Sequence, residues 1–600
     1  MSEPVRLVIW DLDDTYWTGT LAEGSVTHLD ASRTVVKELA GRGIISSICS
    51  KNNFELAKKT LTQDGMWDYF VFPSIDWQPK GPRIRALVKQ SQLRPESVLF
   101  VDDNPSNLEE AKHFTPGIQV AGADFVHRML SSASLSGKPD PGLERLEQYK
   151  LLEQRKHDEA QAPHGAEEFL RQSRIRVEII HELEDKVDRI IELINRTNQL
   201  NFTKKRLPED LSAARAELLS RLRSTETQAG IVRVVDRYGD HGYVGFYMLR
   251  YMAEVVHFCF SCRILGMGVE SWLYARLGRP PLAIVEPVLT NPITDHRAID
   301  WITAGNAMSA DHEPALPLAR FDWVAARGGC DLIALCHYFR VSCPDVFGEF
   351  NVGRFGFDAR VDHSMFLRYA CVGLATEAIR ESAKLGYQPE DFTTVIARPR
   401  AGRGLIILSF GADMSVALYR HRRLGFMVPF VSPCQANHLL DARKVSLSEL
   451  PDTVPDWTPA ALRTLQDDYD HVGMIDEGLF KENLRIVLDA LPKQTPVVLL
   501  LGNTTLRDAQ LNVTHTFHEW VRFNSWVRKV ARCYPNTTVV DIRDCIANEE
   551  EVADWMHFDR TVYYRLYNRL VTAAPRRSRL RRFIFPSGAW LRATLRRSKL

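Results

Sequence analysis

At 600 residues the chain is too long for one hydrophobic core and predicts roughly three or four domains. Its 76 basic and 75 acidic residues leave a formal net charge of +1, which argues against a global pull toward nucleic acid, and 45% apolar with 25% charged residues is the balance of an ordinary globular protein. No apolar run reaches the length of a membrane span, residues 1–10 carry no signal-peptide core, and ten scattered cysteines then read as the reduced thiols of a cytoplasmic protein.

The first element is Val8-Ile9-Trp10-Asp11-Leu12-Asp13-Asp14-Thr15, an apolar strand that ends in three carboxylates. Acids packed this closely repel one another unless a cation neutralises them, and hard oxygen ligands suit Mg²⁺. One acid is then free to attack phosphorus. A helix N-cap with extra acids is the other reading of this stretch alone. Gly43 to Asn52 is a second strand ending in Cys49-Ser50-Lys51-Asn52, Lys80 follows Asp76-Trp77-Gln78-Pro79, and Ser97 to Val101 is a third strand ending in Asp102-Asp103-Asn104-Pro105. Strands with polar C-terminal ends, separated by helical stretches, predict a doubly wound parallel sheet whose ligands collect at those ends. A nucleophilic Asp, a Ser or Thr to hold phosphate, a Lys to neutralise it and a distal Asp pair for metal make a phosphoryl-transfer site.

This ordered set resembles the haloacid dehalogenase (HAD) superfamily, and within it the FkbH-like proteins of subfamily IIIC. The resemblance implies Asp11 as aspartyl-phosphate nucleophile and Asp13 as general acid/base, with Mg²⁺ among Asp11, Asp13, Asp102 and Asp103. It implies Ser50 and Lys80 as phosphate ligands and adds Thr15, Lys51, Asn52 and Asn104 to the substrate-binding set. Asp14 stands where many relatives have Asn. About thirty-five residues separate Thr15 from Ser50 and about thirty separate Ser50 from Lys80, so neither gap holds a cap domain. A capless site is open to a macromolecular substrate or is covered by a neighbouring domain.

Residues 1–135 are expected to form this first domain. A linker follows over 136–165, broken at Lys138-Pro139-Asp140-Pro141-Gly142. Its charged helix spans Leu143 to Glu159. Arg145, Tyr149 and Arg155 resemble the connecting helix of FkbH-like proteins, although a solvated face is the default for most of its charges. In the middle domain, 166–310, an amphipathic helix from Glu182 to Gln199 precedes strands at 230–236, 242–249 and 255–261. Then comes Arg263-Ile264-Leu265-Gly266-Met267-Gly268 and a helix through Trp272. A strand, an R-x-x-G-x-G and a helix form a cradle for an anion. With three strands ahead of it the region resembles the GNAT-type acyltransferase fold, which implies coenzyme A or phosphopantetheine at Arg263, Gly266 and Gly268. A glycine-rich turn without a ligand is the alternative. Asp240-His241 is read as a β-turn before a catalytic pair, and Cys259-Phe260-Ser261-Cys262, with no second pair, as buried structure.

Residues 320–570 alternate strand and helix again. Gly328-Gly329-Cys330-Asp331-Leu332 follows an apolar run. Strands at 405–410, 496–501 and 538–542 follow, with a helix over 482–491, and Asp554-Trp555-Met556-His557 precedes a last helix. Asp-x-x-His puts a base and its orienting carboxylate on one loop, and Gly502-Asn503 can supply oxyanion donors. The order resembles the SGNH/GDSL hydrolase and acyltransferase family, with Cys330 where Ser is expected. It implies Asp554 and His557 acting on a Cys330 nucleophile, or a domain that has lost activity. Glu349-Phe350-Asn351 and Val361-Asp362-His363-Ser364 are polar clusters that belong to that site or cap turns. The tail, 571–600, interleaves Arg576, Arg577, Arg579, Arg581 and Arg582 with aromatics. It suits an anionic membrane surface or an acidic partner, or is a solubilising tail.

The expected fold class is therefore α/β and multidomain: a capless HAD Rossmann-like parallel sheet, a GNAT-like α/β domain and an SGNH-like α/β/α domain. FkbH-like relatives dephosphorylate a phosphorylated three-carbon acid and load the glyceryl group onto an acyl carrier protein. The resemblance makes Cys49, beside Ser50, the thioester candidate. The alternative activity is an SGNH-type acyltransferase or esterase acting on carbohydrate, with the first domain as phosphatase partner. A non-enzymatic docking scaffold is a third reading of the C-terminal region.

Overall fold

A computed structural model describes residues 3–24, 26–161, 166–251, 253–305, 321–329, 331–354, 357–448, 450, 454–508, 513–554 and 556–573. Cys330 and the arginines of the tail lie outside the described residues. The chain is α/β throughout and builds three five-stranded sheets in succession.

In the first sheet the strands run Ser74–Ile75, Ile45–Ser50, Leu7–Trp10, Val98–Val101 and Gln119–Ala121 across the sheet, all parallel. The order reverses direction between Leu7–Trp10 and Val98–Val101, the place where a doubly wound sheet opens a crevice at its strand C-termini. Both strands are buried on both faces, as their unbroken apolar runs require. Val35, Val36 and Leu39 of the helix Asp30–Gly41 and Ala57 and Leu61 of the helix Phe54–Gln63 pack with Trp10 and Ile48 on one face. Ile84 and Leu87 of the helix Lys80–Ser91 pack with Ile9, Cys49 and Phe100 on the other.

The charged linker helix is Glu144–Gln161, and it is no free spacer. Its Leu146 and Leu152 join the second of these core faces, Glu153 accepts from the Phe72 N–H at 2.8 Å, and Lys150 donates to the Phe70 carbonyl at 2.5 Å. Arg155 is buried at 3% exposure. The solvated-face expectation is corrected here: the apolar positions are sparse, but they suffice to press one side of the helix onto the sheet.

The second sheet has the order Glu254–Phe260, Gly239–Arg250, Thr227–Asp236, Ile175–Ile180 and Ile302–Ala304, antiparallel except for the last pair. The third is parallel, in the order Asp345–Glu349, Trp323–Arg327, Gly404–Leu408, Val497–Leu501 and Thr537–Asp541. It too changes direction at one point, beside Trp323–Arg327. The second and third sheets meet through a buried polar seam. The Tyr247 hydroxyl lies 3.0 Å from His337 Nε2, and Arg560 donates from Nε to the Leu222 carbonyl at 3.1 Å and from Nη1 to the His181 carbonyl at 2.5 Å. Among the described residues no helix is long and apolar enough to cross a membrane.

Candidate active site

The crevice of the first sheet gathers residues from all of its central strand ends. Asp11 follows Leu7–Trp10, Ser50 closes Ile45–Ser50, Asp102 and Asp103 follow Val98–Val101, and Lys80 opens the helix Lys80–Ser91. Lys80 Nζ sits 2.7 Å from Asp11 Oδ1 and 2.6 Å from Asp102 Oδ2, and all three side chains are almost fully buried. Burial pushes the Asp11 carboxyl up to about 6, with Lys80 pulling it down and Asp102 pushing it further up. Burial alone would lower the Lys80 ammonium, but the two carboxylates outweigh it and hold it above the usual lysine range.

One oxygen from each of Asp11, Asp102 and Asp103 lies within 4.8 Å of the others. Three carboxylate oxygens converging from two strand ends are the donor set a hard divalent cation takes, so the residues fit Mg²⁺. Asp103 is the exposed member, and burial and the Asp102 charge raise its carboxyl.

Asp13 is not in this group. Its carboxylate is turned to accept from Trp17 Nε1 at 2.8 Å, from the Leu21 N–H at 3.2 Å and from Asn52 Nδ2 at 3.1 Å. The expectation of Asp13 as a carboxylate ligand of the metal is corrected on that ground, while the same contacts hold it in place as an acid/base group. Asn52 is accordingly a partner of Asp13. Thr15 Oγ1 accepts from the Asp103 N–H at 3.0 Å and locks the two carboxylate loops together. Asn104 spends its side-chain oxygen on the Ser106 N–H at 2.9 Å, capping the helix Pro105–Phe114. Lys51 is exposed at the rim.

Cys49 is placed elsewhere. Its side chain points into the core among Ile9, Ile84 and Leu87, it is 0% exposed, and burial pushes its thiol up to about 12. Alternation along the strand is the reason: Ser50 faces the crevice, so Cys49 faces the helices behind. Buried in this way, with its thiol raised, Cys49 gives no support to the expected thioester site.

Two residues of the site escaped the sequence reading. Asn107 Nδ2 donates to Asp102 Oδ1 at 2.9 Å, and buried Arg83 donates from Nη2 to the Ser50 carbonyl at 3.0 Å. Arg83 sits three residues after Lys80 on the same helix face, which is the spacing that could have found it.

In the second sheet, Gly266 and Gly268 both have positive φ, at 81° and 77°, as a tight turn into the helix Val269–Arg276 demands. Gly268 is covered, because a Cβ there would lie 3.3 Å from Ile299. Arg263 turns away to donate from Nη1 to the His241 carbonyl at 2.8 Å. The three residues therefore do not converge as the expected single cradle. Asp240 pairs with Arg233 Nε at 3.0 Å and His241 Nε2 with Asp236 Oδ2 at 3.0 Å, contacts internal to one hairpin.

In the third sheet, His557 Nδ1 lies 2.8 Å from Asp554 Oδ2, and Asp554 also accepts from the Met556 and His557 N–H groups. A pocket beside them at the strand C-termini is lined by Asp331, Ser409, Gly411, Asn503, Trp520 and Met556. Asp362 belongs to this place, accepting from the Gly411 and Ala412 N–H groups at 3.0 Å each. Burial pushes Asp362 up to about 6, and burial and the Asp362 charge push Asp331 up to about 7. Asn503 lines the pocket, and its Nδ2 donates one of its two hydrogens to the Thr505 carbonyl at 2.5 Å.

No protein-family model matches the chain, and no curated protein does. Solved structures match it over a fraction of its length. One is the N-terminal part of the protein BF1531 from Bacteroides fragilis, containing a phosphatase domain complexed with Mg, at 25% identity over 23% of this chain and 41% of that one, with TM-score 0.21. The chain thus spans less than half the length of that protein. Another is a 3-deoxy-D-manno-octulosonate 8-phosphate phosphatase from Moraxella catarrhalis in complex with magnesium, phosphate and KDO, at 16% identity over 22% and 87%, with TM-score 0.18. A cobalt-bound phosphatase (YrbI) from Haemophilus influenzae matches at 17% identity over 20% and 68%, with TM-score 0.17. TM-scores this low carry no argument, so the functional reading stands on the geometry of the site.

Proposed function

We infer that the N-terminal site transfers a phosphoryl group from a phosphorylated small molecule, in the manner of HAD-superfamily phosphatases, with Mg²⁺ held by Asp11, Asp102 and Asp103. The observation that carries this is the convergence of Asp11 and Asp102 on the buried Lys80 ammonium, with Asp13 fixed two residues from Asp11. Bound there, Mg²⁺ supplies Lewis-acid neutralisation of the phosphoryl oxygens. The Asp11 carboxylate attacks phosphorus and forms an aspartyl phosphate as the bond to the leaving oxygen breaks. Asp13 gives its proton to that leaving oxygen, then takes one from the water that cleaves the aspartyl phosphate, releasing inorganic phosphate. Lys80 offsets the charge of the transferred group, and Ser50 is placed at the strand end to bind it.

The finer reading is a phosphorylated three-carbon acid as substrate and an acyl carrier protein as acceptor of the glyceryl group. The segment from 15 to 50 holds a short hairpin, Trp17–Thr18 with Thr27–His28, and the helix Asp30–Gly41, and the segment from 50 to 80 holds the helix Phe54–Gln63 and the edge strand Ser74–Ile75; neither holds a cap domain, which suits a large partner. Cys49 as the covalent carrier does not suit its burial. The test is phosphate release from phosphorylated three-carbon acids with Mg²⁺, alongside the intact mass of the protein with and without a carrier protein. Release that survives in Asp11→Asn would sink the assignment.

A second reading concerns the third sheet. The Asp554–His557 pair at 2.8 Å beside a pocket supports an acyl-transfer or esterase centre on carbohydrate, with Cys330 as its nucleophile. Hydrolysis of an aryl acetate that is unchanged in His557→Ala would remove it.

A further inference from the structure

One edge of the first sheet is the short strand Ser74–Ile75, and beside it the chain forms a cavity of about 360 Å³. Its walls come from several separate segments. Phe54 opens the helix Phe54–Gln63, Trp67 opens the single turn Trp67–Tyr69, and Phe72 precedes the edge strand. Arg83 and Leu87 come from the helix Lys80–Ser91, and the linker helix contributes Glu153. A concave, mostly apolar space of this size with a few polar groups is the form that small-molecule sites take.

The walls are fixed by contacts of their own. Phe54 and Trp67 meet edge to face with ring centres 5.9 Å apart. Phe72 holds a φ of 48°, a left-handed value that a bulky side chain rarely adopts. It is pinned from both sides, its N–H donating to Glu153 at 2.8 Å and its carbonyl accepting from Ser47 Oγ at 3.3 Å. Arg83 donates to Ser74 Oγ at 2.9 Å and to the Ser50 carbonyl at 3.0 Å. A ligand entering such a space has little left to order.

The charge around the cavity has a sign. Glu153 is engaged by the Phe72 N–H and, at 3.6 Å, by Lys150, and Arg83 is paired with Asp76 at 3.3 Å. Two more ammoniums lie against the aromatic wall. Lys58 Nζ is 5.6 Å from the Trp67 ring centre and 5.9 Å from that of Phe54, and Lys156 Nζ is 5.4 Å from that of Phe72. Lys156 gives one of its three donors to the Gln90 carbonyl at 2.6 Å, and among the described residues neither ammonium forms an ion pair. Phe54 is still 37% exposed. Flat rings cover such aromatic surface best, and an acidic substituent meets the two free charges.

We propose that this cavity binds a planar aromatic anion, with its rings among Phe54, Trp67 and Phe72 and its acidic group toward Lys58 and Lys156. A cationic ligand would meet these lysines with Glu153 already engaged. The site touches the candidate active site through Arg83 and Ser50, but it does not rest on the phosphoryl-transfer reading.

The test is fluorescence titration of the full chain, near neutral pH and at low salt, with the dye anilinonaphthalene sulfonate and with its uncharged parent, phenylnaphthylamine. Wild type is compared with Ala86→Trp, which fills the cavity from an exposed position of the helix Lys80–Ser91, and with Lys58→Gln/Lys156→Gln. The expected result is one dye per chain, bound about fivefold or more tighter than the parent. Ala86→Trp should weaken the dye by about tenfold or more, and the double variant should bring it down to the affinity of the parent. Absence of dye binding to wild type, dye affinity unchanged in Ala86→Trp, or equal affinity of wild type for the two probes would overturn the proposal. If Ala86→Trp loses its native circular dichroism, Gln90→Trp on the same wall replaces it with the same expectation, and unchanged dye affinity there would also overturn it.

Discussion

Asp11 and Asp13 are two residues apart and do different work because their surroundings differ. Asp11 points into the crevice against Lys80, and Asp13 is tied by Trp17 and Asn52. Asp11→Asn keeps the shape and removes the nucleophile, so phosphate release should fall by about 10³-fold or more, while Asp13→Ala should cost about 10²- to 10⁴-fold. Steady-state phosphate assays on both variants check this. EDTA should abolish release in wild type and added Mg²⁺ restore it, because Asp11, Asp102 and Asp103 face one another and Lys80 offsets one of their three charges. Cys49→Ala should leave phosphate release within about twofold and stability lower by about 1 kcal/mol, the result of trimming a small buried side chain. A loss of activity as large as that of Asp11→Asn would mean that the thiol takes part in the chemistry. The carboxylate runs were legible in the sequence because strand-end acids are local features. The direction in which each side chain points was not, since it depends on which face of the sheet is covered.

At the scale of elements, local chemistry sets most boundaries. Asn53 accepts from the Leu56 N–H at 3.0 Å and starts the helix Phe54–Gln63, and Asp210 does the same for Leu211–Arg223. Asn53→Ala should cost about 1 kcal/mol in urea unfolding, with no change in the phosphate assay beyond what that destabilisation explains. Strands expected at 230–236, 242–249 and 496–501 are found at Thr227–Asp236, Gly239–Arg250 and Val497–Leu501, because apolar runs and turn residues mark them. The linker helix was legible as a helix but not as a layer of the core. Two leucines among many charges read as a solvated face until the sheet they cover is present.

Across the whole molecule, the seam between the second and third sheets is built from groups that must stay neutral or paired. His181 is 5% exposed, and burial pulls its imidazole down to about 4, with the Arg560 charge adding to the shift. The unfolded chain takes up a proton near pH 6.5 and the folded seam does not. Stability is therefore full above pH 6.5 and is lost as pH falls from there toward 4, by on the order of 3 kcal/mol. Thermal melts across that range should show the fall, and His181→Gln should flatten it. Arg560→Ala leaves the Leu222 and His181 carbonyls without their donor and should lower stability by roughly 2–4 kcal/mol. A melt of that variant unchanged within about 1 °C would show that the seam does not hold the sheets together.

The sequence alone determined the α/β class, the strand-end acids at Asp11, Asp13, Asp102 and Asp103, Lys80 among them, and the Asp554–His557 spacing. Each depends on neighbours a few residues away, or on a pattern that a sheet repeats. Tertiary structure alone decided that Asp13 leaves the metal group, that Cys49 turns into the core, and that Asp362 joins the pocket beside Asp554–His557. Those facts depend on which strand faces which helix and on which loops meet at the strand ends. Segments separated by a hundred residues or more carry no local mark of it.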